Sequence, residues 1–412
     1  KYASFEQLTV DYYVQSGQLV KALETAETGK NTCLSWLLSA HSGEANSLEQ
    51  EQVGQLLNPS TAIVYWHLSP ASITTFILTS DTEIPAILPE DDVETSQEKP
   101  EQLPQAYRQL LEFETWVTNW NQRYTDYGKA QDKTARENHR WRTKMSEQLE
   151  RLKQILKIPT IVAQLPSSVS QIILIPHRDL HRFPLHVLFP DNFTLTYLPS
   201  LQMGLNLKGQ TRGEGSISGL LSVEAPNNTT AKQHHLIDGL YAVAECQLIA
   251  QMFPTTTIQS DQATKEKVSD MLQQAYHGFH FSGHAAYNFN NPKTSALYLT
   301  GEDHLTVVDI CGEIPLVKDN SLVCLSACET AVTGNQTITS EYVGLVSGCL
   351  RGGAHNVVST LWTVQSISSF LLMVKFYSLL KDGTAAAIAL GEAQRDRKST
   401  RLNSSHQIIS YA

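Results

Sequence analysis

From Ser170 onward the chain alternates short, largely apolar runs with stretches of helical spacing, and that alternation limits the fold more than any other feature. The runs are Gln171 to Pro176, Ser216 to Val223, 278–282, 321–326 and 354–361, with helical patterns at 238–252 and 264–275. Most of the runs lack the sustained alternation of polar with apolar that a strand with one wet face would show. Strands of this kind are buried on both faces, so the expected class is α/β, a mostly parallel sheet flanked by helices.

Upstream the pattern differs. Residues 1–57 read as helices: Phe5, Leu8, Tyr12 and Tyr13 recur at helical spacing, Ser16-Gly17 breaks the run, and Leu19 to Leu38 resumes it. One helix–turn–helix of this sort fits a helical hairpin and the last unit of a repeat array equally well. After Asn58-Pro59, Ala62 to Trp66 and Ile73 to Leu78 form an expected strand pair joined through Ser69-Pro70-Ala71. An acidic, proline-rich loop fills 81–105. Two amphipathic helices follow, one with the stripe Phe113, Trp116, Val117 and Trp120, the other with Met145, Leu149, Leu152 and Leu156.

The chain opens at Lys1 and reads as a fragment. Its last stretch, DRKSTRLNSSHQIISYA from Asp396 to Ala412, carries no apolar periodicity that continues the preceding helix, and it resembles the translation of a sequencing adapter. It reads as a non-native tail outside the fold. The formal charge of −10 leaves no basic stripe for phosphates, which argues against nucleic acid as a partner. No run of 18 apolar residues is present, so no membrane span is expected. Six cysteines without a Cys-x-x-Cys pair do not form a disulfide framework, and a cytoplasmic setting follows as the expectation.

The segment SLVCLSACET, 321–330, poses the functional question. Cys324 sits inside its apolar run and reads as a small core hydrophobe. Cys328 falls where the chain leaves the strand, and functional groups of open α/β sheets gather beyond the carboxyl ends of strands. A second strand ends similarly, in GFHFSGHA at 278–285, with His284 after a glycine. His280, inside that strand, reads as a hydrogen-bonded core histidine, and His277 as a helix end or loop. Cys328 and His284 together are what peptide hydrolysis by a cysteine thiol requires. The imidazole takes the thiol proton and later protonates the leaving amine, while backbone N–H groups at Gly283, Ala285 and Cys328 could hold the oxyanion. On spacing alone this is one of several readings.

The ordered set HFSGHA, LVCLSACETA, GLVSGCLRGGAHNVVSTLW and AIALGEAQ, with the approach segments ILIPHRDLHRFPLHVLF and LTYLPS, resembles the CHAT domain, over about residues 140–395. That family is caspase-like, in the clan of caspases, separases and gingipains, and often follows tetratricopeptide repeats; residues 12–38 look like the last such repeat. The resemblance implies a caspase-like α/β sandwich, a first non-catalytic half over 58–205 and a catalytic half over 206–395. It also implies a cysteine endopeptidase with His284 and Cys328 as its catalytic pair, acting on a protein substrate and held latent by upstream repeats or a protein partner. The chain departs from the family's pattern at Ala285 and Ala331, where glycines are usual. A third departure is Thr363-Val364-Gln365-Ser366, where acids are frequent, so a preference for basic substrates is not carried over.

Other readings are weaker. A zinc site from Cys311, Cys324, Cys328 and His284 matches no common ligand spacing, and no metal or cofactor is expected. Ser326 lacks the Gly-x-Ser-x-Gly elbow. Gly352-Gly353 precedes a strand instead of following one, unlike a phosphate loop. Glu329 could orient the site or simply begin a helix. The alternative of a different class is a catalytically silent caspase-like scaffold that binds protein partners.

Overall fold

The structure is a computed structural model that describes residues 2–38, 50–82, 84–88, 104–130, 135, 138–208, 217–224, 236–274, 276–286, 288, 291–313, 322–327, 344–361, 366–399 and 408–411. Two helices lead the chain, α1 (Tyr2–Gln15) and α2 (Leu19–Leu38). The break between them falls at Gly17, whose φ of 72° lies in the left-handed region that a residue without Cβ enters at no cost.

Strands β1 (Thr61–Leu68) and β2 (Ile73–Leu78) form the expected antiparallel pair, with β3 (Ala86–Ile87) at the edge. The long helix α3 (Gln105–Gly128) buries Phe113, Trp116, Val117 and Trp120, the stripe read from spacing. The rings of Phe113, Trp116 and Trp120 pack edge-to-face around Phe183, with Trp116 and Phe183 centroids 4.7 Å apart at 84°. Helix α4 (Met145–Ile155) buries Met145, Leu149 and Leu152 against the same layer. Most of the acidic loop, 89–103, lies outside the described residues.

Strands β4 (Gln171–Ile175) and β5 (Thr194–Tyr197) extend the sheet in parallel from β1. Helix α5 (Leu201–Lys208) follows. The second run then comprises β6 (Leu220–Glu224), α6 (Leu236–Ala250), β7 (Thr255–Ile258), α7 (Lys265–Leu272) and β8 (Gly278–Ala286). It continues through β9 (Ala296–Tyr298), β10 (His304–Thr306), β11 (Leu322–Ala327), α8 (Leu345–Arg351), β12 (Asn356–Thr360), α9 (Ser366–Lys381) and α10 (Ala386–Ser399), and β13 (Ile408–Tyr411) ends it. β7, β6, β8, β11 and β12 are parallel neighbours in that order, and β13 lies between β12 and β5.

The sheet is buried on both faces, as the unalternated runs require. One face belongs to a large apolar cluster that includes Leu221, Val223, Phe279, Phe281, Val323, Leu325 and Val357. The other belongs to a smaller one with Leu220, Leu322, Cys324 and Val358 under α6, α9 and α10. The alternate residues of each strand serve the two faces in turn.

Two expectations change. The helix of 386–399 continues past Asp396, and Ile408–Tyr411 is a strand, antiparallel to β12 and meeting β5 at Tyr411 and Tyr197. The stretch excluded from the fold thus contains a described strand, because β12 and β5 both present backbone edges to it; 400–407 lie outside the described residues. β8 also does not stop at His284. It runs on to Ala286 and pairs antiparallel with β9, since it is longer than its parallel neighbours.

Candidate active site

β8 and β11 fix the geometry. Their parallel register pairs Leu322 with Gly278 and continues residue by residue to Ala327 with Gly283. The next residue of β8 is His284, and the next in the chain after Ala327 is Cys328. Cys328 lies outside the described residues, as do Glu329, Ala331 and 363–365. Ala327 is held on its far side as well, its carbonyl accepting a hydrogen bond from Thr360 Oγ1 of β12.

His284 stands where β8 passes from one pairing to another. Gly283 still faces β11, whereas His284 faces Tyr298 of β9 across an antiparallel ladder. Ala285 pairs with Leu297 in the same ladder. Position 285 is thus extended strand, not the turn expected from the family's glycine, and an alanine there meets no conformational penalty. The proposed oxyanion donors Gly283 and Ala285 sit on either side of this change of partner.

Four residues before the candidate pair, the same strands carry a second cysteine and histidine. Cys324 is the register partner of His280, and both are fully buried. Tyr377 Oη of α9 lies 3.1 Å from His280 Nδ1, and Glu245 Oε1 of α6 lies 3.1 Å from His280 Nε2. His280 is the bonded core histidine that its position inside the strand implied. Burial pushes the Cys324 thiol up to about 12, with Glu245 adding to the rise and a hydrogen bond with Tyr377 opposing it. The thiols of Cys246 and Cys349 are likewise raised by burial, and that of Cys311 to about 12. None of these four cysteines is a ready nucleophile.

The zinc reading fails on geometry. Cys311 packs against the large cluster and Cys324 belongs to the small one, so they lie on opposite faces of the sheet. No group of three His, Cys, Asp or Glu among the described residues could hold a metal. No helix among them is long and apolar enough to cross a membrane.

The sequence reading missed Glu224. It ended the run at Val223, but the strand takes in Glu224, which pairs with Ser282 beside the candidate site. The legible signal was an acid closing an apolar strand at its carboxyl end, where functional groups gather.

This sheet order with helices on both faces defines an α/β sandwich of the caspase-like class. A chain of the separase–securin complex of Saccharomyces cerevisiae at 3.0 Å matches with a TM-score of 0.61 at 11% identity, over 96% of this chain and 34% of its own length. The same complex at 2.6 Å gives 0.57, again at 11% identity and over the same shares of both chains. The chain belongs to the CHAT domain family, whose model matches residues 146–410. Tetratricopeptide repeat protein 28 of Mus musculus is 25% identical over 195 residues, 39% of this chain. The chain spans 8% of that relative's length and about a third of the separase-complex chains.

Proposed function

We propose that this chain is a cysteine endopeptidase in which Cys328 is the nucleophile and His284 the general base and acid. The observation that carries the reading is the β8–β11 register, which ends at Gly283 opposite Ala327, one residue short of each partner. In this reading His284 takes the thiol proton, and the thiolate adds to the peptide carbonyl. The oxyanion is held by backbone N–H groups near Gly283, Ala285 and Cys328. His284 then protonates the leaving amine as the C–N bond breaks, leaving a thioester. Water, deprotonated by His284, hydrolyses the thioester and restores the thiol.

The same reading includes regulation by an upstream helical segment or a protein partner, and a cytoplasmic location. Contacts of α2 with the first half support the regulatory part: Lys30 Nζ donates to Pro176 O at 2.8 Å, and Gln202 N donates to Glu27 Oε1 at 2.9 Å. The test is cleavage of a proteome-derived peptide library by the full chain beside Cys328→Ala and His284→Ala. Both variants are expected to be silent while keeping wild-type circular dichroism. Cleavage that survives either substitution contradicts the dyad. A silent wild type favours the scaffold alternative.

A further inference from the structure

The leading hairpin seats a cation against a second group of strand ends, those of β1 and β4 instead of β8 and β11. β1 and β4 run parallel, with Tyr65 opposite Ile175. Just beyond that pair β1 carries His67, and the chain leaving β4 carries His177, Arg178 and His181. Helix α2 closes over them: Lys30 Nζ donates to Pro176 O at 2.8 Å and lies 3.7 Å from the centre of the Tyr65 ring. Helix α1 adds Gln7 O, 3.4 Å from His67 Nε2. Val10, Ala22, Leu23 and Ala26 of the two helices are buried in the large apolar cluster.

The hydrogen bonds fix the proton on two of these rings. A carbonyl only accepts, so His67 Nε2 carries the proton that faces Gln7 O, and Nδ1 is bare. That Nδ1 is buried and has no hydrogen-bond partner among the described residues. A backbone N–H only donates, so His177 Nδ1 accepts from Leu68 N at 2.8 Å. A second proton on His67 therefore enters a buried site without an acceptor, and one on His177 breaks its bond to Leu68. The two rings stack 4.9 Å apart at 14°, so charges on both repel. Burial first, and then the surrounding positive charge, including that of Lys30, holds His67, His177 and His181 below the ordinary imidazole value. The acids nearby are engaged elsewhere. Glu27 Oε1 accepts from Gln202 N, Asp11 Oδ1 accepts from Ser72 Oγ, and Asp179 pairs with Arg182. Burial raises the Asp11 carboxyl, so acid favours the docked hairpin through Asp11, one group against three imidazoles.

We propose that the hairpin α1–α2 is a strap released by acid: protonation of His67, His177 and His181 expels Lys30 from the ends of β1 and β4 and frees both helices, while the second half of the sheet stays paired. This gives the regulatory part of the reading above a trigger. It needs neither His284 nor Cys328, so it stands or falls separately from the peptidase. Each imidazole that release exposes steepens the equilibrium by up to about tenfold per pH unit below about pH 6.5. Hydrogen exchange of the full chain reads the release, each rate being divided by the intrinsic rate at that pH. Between pH 6.5 and 5 the protection of 19–30 is expected to fall by about 100-fold or more. At pH 5 the strand 278–286 is expected to remain at least about 100-fold better protected than 19–30, as separate opening requires. His67→Phe keeps a ring against His177 but takes no proton, and should shrink the fall over 19–30 by about 30-fold. If that variant loses its circular dichroism at pH 7, His177→Asn, whose Oδ1 can still accept from Leu68 N, gives the same reading. Protection of 19–30 that does not change with pH overturns the proposal. So does a fall to the same level in 19–30 and 278–286, or a fall that the folded variant leaves intact.

Discussion

Cys324 and His280 stand opposite each other on parallel neighbouring strands, four residues before Cys328 and His284 in each chain segment. The same sheet face therefore carries one cysteine–histidine pair sealed in the core, and β8 leads from it to His284. The sealed pair is tied to helices α6 and α9 through Glu245 and Tyr377, and it anchors the strands whose ends form the candidate site.

Removing the carboxylate from that anchor is expected to be expensive. Glu245→Leu leaves a fully buried imidazole without its charged neighbour and should lower stability by about 3 kcal/mol in urea unfolding. The double substitution Glu245→Leu with His280→Phe should cost less than the two singles combined, because it removes both polar groups from the core. Strict additivity would show that the two residues do not interact.

A second buried imidazole group sets the acid response. His67 and His177 stack with centroids 4.9 Å apart, Leu68 N donates to His177 Nδ1 at 2.8 Å, and His181 lies buried nearby. Burial, followed by the charge of Lys30, pushes His67 down to about 3 and holds His181 well below its ordinary value. For His177 the order is burial, then His67. Unfolding exposes these groups, and below about pH 6.5 the unfolded chain takes protons that the fold refuses. Stability therefore falls as pH drops below about 6.5, by up to about 1.4 kcal/mol per pH unit for each histidine. Urea midpoints between pH 5 and 7 should rise with pH, and more shallowly in His181→Leu. An unchanged slope in that variant would remove His181 from the account.

Glu224 has the opposite sign. Its carboxyl is raised in the fold, so between the unfolded value near 4.3 and the folded one the native state holds the extra proton. Stability is thus lost as pH rises through that window. Glu224→Gln removes the buried charge and should be more stable than wild type at pH 7 but not at pH 4, in urea unfolding. A destabilised variant at pH 7 would mean that Glu224 has a structural partner.

Lys30 reports on the attachment of the leading helices. It is 3% exposed, donates to Pro176 O, and sits 3.7 Å from the centre of the Tyr65 ring. Lys30→Met keeps the stem but strips the donor from a buried carbonyl, at a cost of about 1–3 kcal/mol. Hydrogen exchange should speed up over 19–30 and 171–176 together. Acceleration in neither segment would contradict the clamp.

The elements built on strong periodicity were legible before any coordinates. Phe113, Trp116, Val117 and Trp120 face one way at helical spacing, and Gly17 ends α1 because its backbone must turn left-handed. His280 and Cys324 could be assigned to the core from their places inside apolar runs. His284's pairing was not legible, because the partner, Ala296–Tyr298, is a three-residue strand with no pattern of its own. Glu224 is not legible as strand, because the apolar run ends at Val223 whereas the strand's extent is set by backbone pairing with β8. The strand at Ile408–Tyr411 escaped notice because its place is defined by the edges of β12 and β5, far away in sequence.

The central claim is a thiolate at Cys328 sustained by His284, and alkylation tests it without a substrate. The full chain and His284→Ala are treated with iodoacetamide from pH 5 to 9, and each cysteine is followed by peptide mass mapping. Cys246, Cys311, Cys324 and Cys349, whose thiols burial has raised, serve as internal references that should stay slow. Cys328 is expected to react fast well below the free-thiol value of about 8.5 and to slow in His284→Ala. A Cys328 that follows an ordinary thiol titration, or that reacts equally in the variant, would contradict it.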